Sequence, residues 1–180
     1  RSAGWPCHDA LEIELLAAGL LERLRGPLGH ETVRVTDAGI AVLAETLAKN
    51  RARRDAHELL VERVAREMTR AGRLAWRGLA VRARVDAGWV MAMPDVFSIR
   101  HTTVEAYAEP IVHEVKVQRA DLLADLRRAS KRQAYLELGG ECWYVIKEGI
   151  AHADEIPAEC GVLIASAVGL SVERPARGPG

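Results

Sequence analysis

Two short runs rich in β-branched and aromatic residues, at 111–117 and 142–147, bracket a helical stretch over 120–138 that stops at Gly139-Gly140. Strand, helix and strand in that order form a crossover unit, which commits the chain to an α/β sandwich. The residues before it add a hairpin. Residues 79–85 and 96–107 read as further strands, with turns at 86–88 and at Glu109-Pro110. Beyond the crossover, 161–165 reads as a buried strand entered from Ile156-Pro157, and 170–173 as a last short strand. A hairpin that feeds a crossover makes the sheet a mixed one. In front of it stands an amphipathic helix whose face is marked by His57, Leu60, Val61, Val64, Ala65 and Met68 and which ends near Ala71-Gly72. The expected domain therefore occupies residues 51–175, followed by a frayed tail at 176–180.

Residues 1–50 have a different texture. A helix is expected over 9–23, with apolar positions at Leu11, Leu15, Leu16 and Leu20. A Gly-Pro-Leu-Gly stretch interrupts it, Val33-Arg34-Val35 alternates as a short strand, and Thr36-Asp37 caps a second helix over 38–49. The stretch ALEIELLAAGLLERL…VRVTDAGIAVLAE resembles the recognition helix, wing and closing helix of MarR- or PadR-type regulators. The resemblance implies a small N-terminal winged-helix-like module. It is a partial one, since the two helices that precede this stretch in such regulators have no counterpart in the sequence.

Charge limits the partners. Lys and Arg number 25 against 25 Asp and Glu, which argues against binding of a polyanion by bulk charge. The distribution is nevertheless polarised. Residues 49–84 hold 11 basic and 4 acidic groups and residues 111–135 hold 6 and 3, whereas 85–110 hold 1 and 4. Two basic stretches, Arg51-Ala-Arg53-Arg54 and Arg127-Arg128-Ala-Ser-Lys131-Arg132, are candidate phosphate-facing surfaces. The longest apolar run, 161–170, is far short of the roughly 20 residues of a membrane span, and the first residues lack the apolar region of a signal peptide, so a cytoplasmic location without a membrane partner is expected. Cys7, Cys142 and Cys160 form no C-x-x-C pair and read as free thiols.

One constellation carries chemistry. Asp95 follows Pro94 at the mouth of a strand, and Glu114-Val115-Lys116 lies in the adjacent strand, 19 residues from carboxylate to carboxylate. Side chains at i and i+2 share a face, so Glu114 and Lys116 project together while Val115 points to the other side. Hairpin pairing brings Asp95 alongside. Two nearby carboxylates call for a cation, and hard oxygen ligands suit Mg²⁺ or Mn²⁺. The main-chain carbonyl of Val115 is a further ligand. The Lys116 ammonium is placed to orient water or to stabilise charge building on phosphorus.

The same residues resemble the PD-(D/E)XK nuclease superfamily, with its restriction-endonuclease-like fold: a mixed sheet flanked by helices. Residues 113–146, followed by 155–176, are similar to the MmcB-like group of bacterial DNA-repair proteins, on Glu114 to Lys116, Ala120-Asp121, Asp125, Tyr135, Pro157 to Gly161 and Ile164-Ala165. The resemblance implies metal-dependent cleavage of DNA, with Asp95 and Glu114 as ligands of Mg²⁺ or Mn²⁺ and Lys116 catalytic. It also implies an accessory acid on the first helix, where Glu58 and Glu62 stand near His57, and an accessory role for Gln133. Arg119, Arg127, Arg128, Lys131 and Arg132, with some of Arg51, Arg53 and Arg54, would hold DNA phosphates.

Other chemistries lack residues. His57-Glu58 is no zincin box, since Val61 stands where the second histidine belongs, and neither a phosphate-binding glycine loop nor a G-x-S-x-G elbow is present. His8, His30, His101 and His152 are scattered. The alternative is a non-catalytic DNA-binding or regulatory protein on a nuclease-like scaffold, and a homodimer is open in either case.

Overall fold

The computed structural model describes residues 4–86 and 88–177. The chain divides into two compact units, one up to Arg54 and one from Asp55. Among the described residues no helix is long and apolar enough to cross a membrane.

The first unit opens with α1 (Ala10–Ala17), capped by Asp9, whose carboxylate takes the Glu12 N–H at 2.7 Å. The helix expected over 9–23 ends early. Gly19 adopts φ +69°, so its N–H closes on the Leu16 carbonyl and that of Leu20 on Leu15, the Schellman arrangement that terminates a helix. Leu21 to Arg25 is instead a strand, β1 (Leu21–Arg25), paired antiparallel with β2 (Glu31–Val35) around the Gly-Pro-Leu-Gly tip. Thr36 then caps α2 (Asp37–Arg70), its hydroxyl accepting the Gly39 N–H at 3.1 Å. The two helices expected over 38–49 and around His57 are one helix of 34 residues. Between Gly39 and Gly72 no glycine or proline interrupts the backbone, and only the side-chain texture changes near Arg53.

The second unit takes the end of α2 and then β3 (Arg73–Arg77), β4 (Val81–Val85), β5 (Gly88–Ala92), β6 (Val96–Arg100), β7 (Ile111–Lys116), α3 (Arg119–Leu126), α4 (Ala129–Gly139), β8 (Glu141–Lys147), β9 (Gly161–Ala165) and β10 (Leu170–Arg174). A mixed six-stranded sheet runs in the order β10-β9-β8-β7-β6-β3. The pairs β7–β8 and β8–β9 are parallel and the rest antiparallel. Strands β4 and β5 form a separate hairpin.

Strand alternation sorts the core into two layers. Val96, Val115, Val145 and Leu163 meet Leu60, Val61 and Val64 of α2 on one face. Val112, Tyr144, Ile146 and Val162 meet Leu122, Ala134 and Tyr135, together with Ala83, Val85 and Ala92 of the hairpin, on the other. Each buried valine contributes about 1.5–3 kcal/mol. Gly139 lets α4 close on β7, because a Cβ there would lie 3.1 Å from the Val112 nitrogen. Cys142 and Cys160 are buried free thiols, and Cys7 is exposed.

Several expected boundaries move. The strand read over 96–107 stops at Arg100, and Glu105–Tyr107 is a 3₁₀ turn. Strands β3 and β5 have no counterpart among the expected elements, and the strand expected over 79–85 begins at Val81. Of the expected turn at 86–88, Ala87 lies outside the described residues, as does the tail beyond Arg177. The helix read over 120–138 is two helices. Arg128 leaves helical geometry at φ −96°, ψ 70°, its N–H held by the Asp125 carbonyl.

Candidate active site

The site forms where the antiparallel ladder between β6 and β7 stops. Its last pair is Val96 with His113. Continued two residues further, the register sets Pro94 opposite Val115, and proline has no N–H to give the Val115 carbonyl. The Val115 N–H is taken by Asp95 Oδ2 at 2.7 Å. A proline followed by an aspartate thus ends the ladder, leaves a carbonyl without its ladder donor and sets a carboxylate beside it.

Glu114 and Lys116 leave β7 on the α3/α4 face, as strand periodicity requires. Glu114 is 3% exposed, and its Oε1 accepts from both Lys116 Nζ and Lys131 Nζ at 2.5 Å. Its Oε2 is buried and has no partner among the described residues. Asp125 closes the group. Its Oδ1 accepts from Lys131 at 2.6 Å and its Oδ2 from the Tyr144 hydroxyl at 2.9 Å, with Lys116 Nζ 3.6 Å from Oδ1. The break between α3 and α4 allows this, since Asp125 lies in the last turn of one helix and Lys131 in the first turn of the next.

Glu114, Asp125 and Lys116 are buried together and Lys131 is half-buried against them, and each buried ion is stable there because the others are present. Burial opposes the Asp125 carboxylate, but the Lys131 bond, the charge of both lysines and the Tyr144 hydroxyl outweigh it and hold the group below its ordinary range. Burial likewise opposes the Lys131 ammonium, yet Glu114 and Asp125 raise its pKa. Burial and the neighbouring Glu114 keep the Tyr135 phenol protonated; its hydroxyl donates to the Met93 carbonyl at 3.1 Å.

On the other side Asp95 meets α2. His57 Nε2 lies 3.4 Å from Asp95 Oδ2, and His57 Nδ1 lies 3.6 Å from Glu58 Oε1. The bond to Asp95 raises the His57 pKa, against the opposing effect of burial. His113, buried on the face that carries Val115, is pushed down to about 3 by burial and then by the Arg73 charge, and stays neutral.

Asp95, the Val115 carbonyl, Glu114 and Lys116 therefore lie at the end of one strand pair. Among the described residues no three His, Cys, Asp or Glu side chains form a metal-holding group. The expected set contains only two such side chains and a carbonyl. The unpartnered Glu114 Oε2 and the carbonyl opposite Pro94 are oxygen donors of the hard type that Mg²⁺ and Mn²⁺ take. Of the accessory residues, Glu58 is exposed beside His57 and lines a cavity with Pro94 and Asp95, whereas Gln133 donates to Asp86 at 3.1 Å.

Of the five residues expected on DNA phosphates, Lys131 is part of the buried group. Arg119 is forked onto Glu155 and Arg132 bonds Glu159 at 3.1 Å. Arg127 and Arg128 are exposed. Asp125 and Tyr144 are site residues that sequence reasoning does not assign to the site, and Lys131, expected on DNA phosphates, is held instead by Glu114 and Asp125. Asp125 and Tyr135 carried a signal, as matching positions of the similar family, but no spacing rule tied them to Glu114.

No family model matches the sequence, and no curated protein matches it. Among solved structures, a protein of unknown function from Silicibacter pomeroyi aligns with a TM-score of 0.46 at 27% identity, over 64% of this chain and 67% of that one.

Proposed function

We propose that this chain is a metal-dependent nuclease of the PD-(D/E)XK kind that hydrolyses phosphodiester bonds in DNA, in repair or processing, on a restriction-endonuclease-like domain preceded by a partial winged-helix-like module. The observation that carries the reading is the Glu114 carboxylate. One of its oxygens fixes Lys116, and the other is buried with no partner among the described residues. An unsatisfied buried carboxylate oxygen costs about 1–3 kcal/mol or more, a cost that a ligand removes.

In this reading Asp95, Glu114 and the Val115 carbonyl hold Mg²⁺ or Mn²⁺. The cation would supply positive charge to a phosphoryl oxygen and acidify water. Lys116 is fixed by Glu114 at 2.5 Å, so its ammonium is oriented before substrate arrives and is available to the charge that develops on phosphorus. Asp125 holds Lys131 and lies 3.6 Å from Lys116, which keeps both cations at the site. The exposed Arg127 and Arg128 remain for phosphate contacts.

The test is incubation with plasmid and oligonucleotide substrates in Mg²⁺ or Mn²⁺. Cleavage that disappears in both Asp95→Ala and Lys116→Ala supports the reading, and unchanged cleavage in both overturns it. One observation favours a second reading, a DNA-binding protein without catalysis: Lys131 already neutralises Glu114. That reading predicts salt-dependent DNA binding with no Mn²⁺ bound at Asp95 and Glu114.

A further inference from the structure

The β4–β5 hairpin has two unlike faces. Ala83, Val85 and Ala92 are buried in the core with Ala134 and Tyr135 of α4. The alternate residues point out, and large apolar side chains there are open to solvent: Trp89 is 62% exposed and Met91 64%, with Met93, one residue past β5, at 63%. Opposite them stand Arg82, paired with Met91, and Arg84, paired with Trp89. The Arg82 guanidinium lies over the Trp89 ring, 5.3 Å from its centroid. The hairpin's one carboxylate, Asp86, is engaged by Gln133. Among the described residues neither arginine has an acidic partner.

A strand face that exposes an aromatic ring and two methionines, with two unneutralised guanidinium groups across the ladder, is costly in water unless something covers it. A protein partner that covers apolar side chains has no need of two unpaired cations among them. A single nucleic-acid strand needs both, since bases stack on aromatic faces while phosphates seek cations. The hairpin also leads to the site. A cavity of about 330 Å³ runs beside Met91 and Met93 to Lys131 and Tyr135, and Asp95 lies two residues beyond Met93.

We infer that the outer face of β4–β5 is a docking platform for an unpaired nucleic-acid strand, with a base on Trp89 and backbone phosphates on Arg82 and Arg84. The inference rests on the nuclease reading for its purpose, delivery of an unpaired strand to Asp95 and Glu114, but binding at the platform needs no metal.

The experiment is fluorescence anisotropy of labelled oligothymidine, and of a duplex of equal length, with the full chain in EDTA. Trp89→Ala is expected to weaken single-strand binding about tenfold. Trp89→Phe, which keeps a stacking face, should restore most of it. Arg82→Gln with Arg84→Gln should lower the slope of log affinity against log salt by about 1.4. Urea unfolding serves as the control, and the exposed Trp89 should leave its midpoint unchanged. Single-strand affinity unaltered in Trp89→Ala, or a preference for duplex that survives it, overturns the platform. If wild type cuts no substrate yet binds strands through Trp89, only the cleavage reading falls. If cutting needs Asp95 while binding ignores Trp89, only the platform falls.

Discussion

The ammonium of Lys131 lies 2.5 Å from Glu114 Oε1 and 2.6 Å from Asp125 Oδ1, although the two carboxylates come from a strand and from the preceding helix. A lysine that helical spacing assigns to a solvated, phosphate-facing surface thereby becomes the counter-ion of the buried site. It also competes with any cation for Glu114. Lys131→Met keeps the stem and removes the charge. Its Mn²⁺ affinity is expected to rise by about tenfold, the effect of about 1.4 kcal/mol of relieved repulsion. Its stability to urea should fall by about 1–3 kcal/mol as Asp125 loses a partner. Paramagnetic resonance of free Mn²⁺ reads the first quantity; a loss of affinity would mean that Lys131 supports the cation instead of opposing it.

Pro94 gives a second handle on the same site. Its place opposite Val115 ends the β6–β7 ladder, and its side chain is fully buried. Pro94→Ala supplies the missing N–H, which would capture the Val115 carbonyl and extend the ladder by one bond. The expected outcome is a drop of about tenfold in metal-dependent cleavage and in Mn²⁺ affinity. The stability change is a poor gauge here, because the lost ring atoms and the gained hydrogen bond oppose each other. Amide exchange at residue 94, slow only if the new bond forms, decides whether the carbonyl was the group affected.

What was legible in the sequence follows from the range of the forces involved. Strand periodicity places Glu114 and Lys116 on one face, and a hairpin feeding a strand-helix-strand crossover requires a mixed sheet. Both are short-range patterns. The break at Arg128 carries neither glycine nor proline, so a continuous helix was the natural reading of 120–138. That break turns Asp125 and Lys131 inward together. Their contact with Glu114 depends on where β7 runs beneath them, which no local spacing encodes. Nothing local announces β3, because Arg73 and Arg77 give it a polar edge, and the charged stretch near Arg53 has the texture of a linker although α2 runs through it.

His57 and Asp95 set a dependence on pH. The carboxylate 3.4 Å away favours the imidazolium, so the folded pKa lies above the ordinary value of 6.5. A raised pKa contributes stability that is complete below the unfolded value and is lost as pH rises through the folded one. The stability difference between wild type and His57→Gln should therefore be larger at about pH 5.5 than at about pH 9. Urea midpoints at both pH values measure it. A difference that grows on going alkaline would mean that His57 is neutral in the fold.

Tyr144 and Asp125 work in the opposite direction. The phenol donates to Asp125 Oδ2 at 2.9 Å within the core, and with the lysines it holds the Asp125 pKa below its ordinary 3.8. A depressed carboxylate contributes stability above its unfolded pKa and loses it as pH falls through the folded one. Tyr144→Phe removes one donor without changing shape. It should cost about 1–2 kcal/mol at neutral pH, since a buried acceptor loses its partner while the ring stays packed. The Asp125 pKa should rise toward the ordinary value, because Lys131 and Lys116 still favour the carboxylate but one hydrogen bond to it is gone. Acid unfolding of the variant should accordingly begin at a higher pH than that of wild type. Carboxyl carbon shifts of Asp125 across the acid range test this directly: a pKa unchanged by the substitution would assign the depression to the lysines alone.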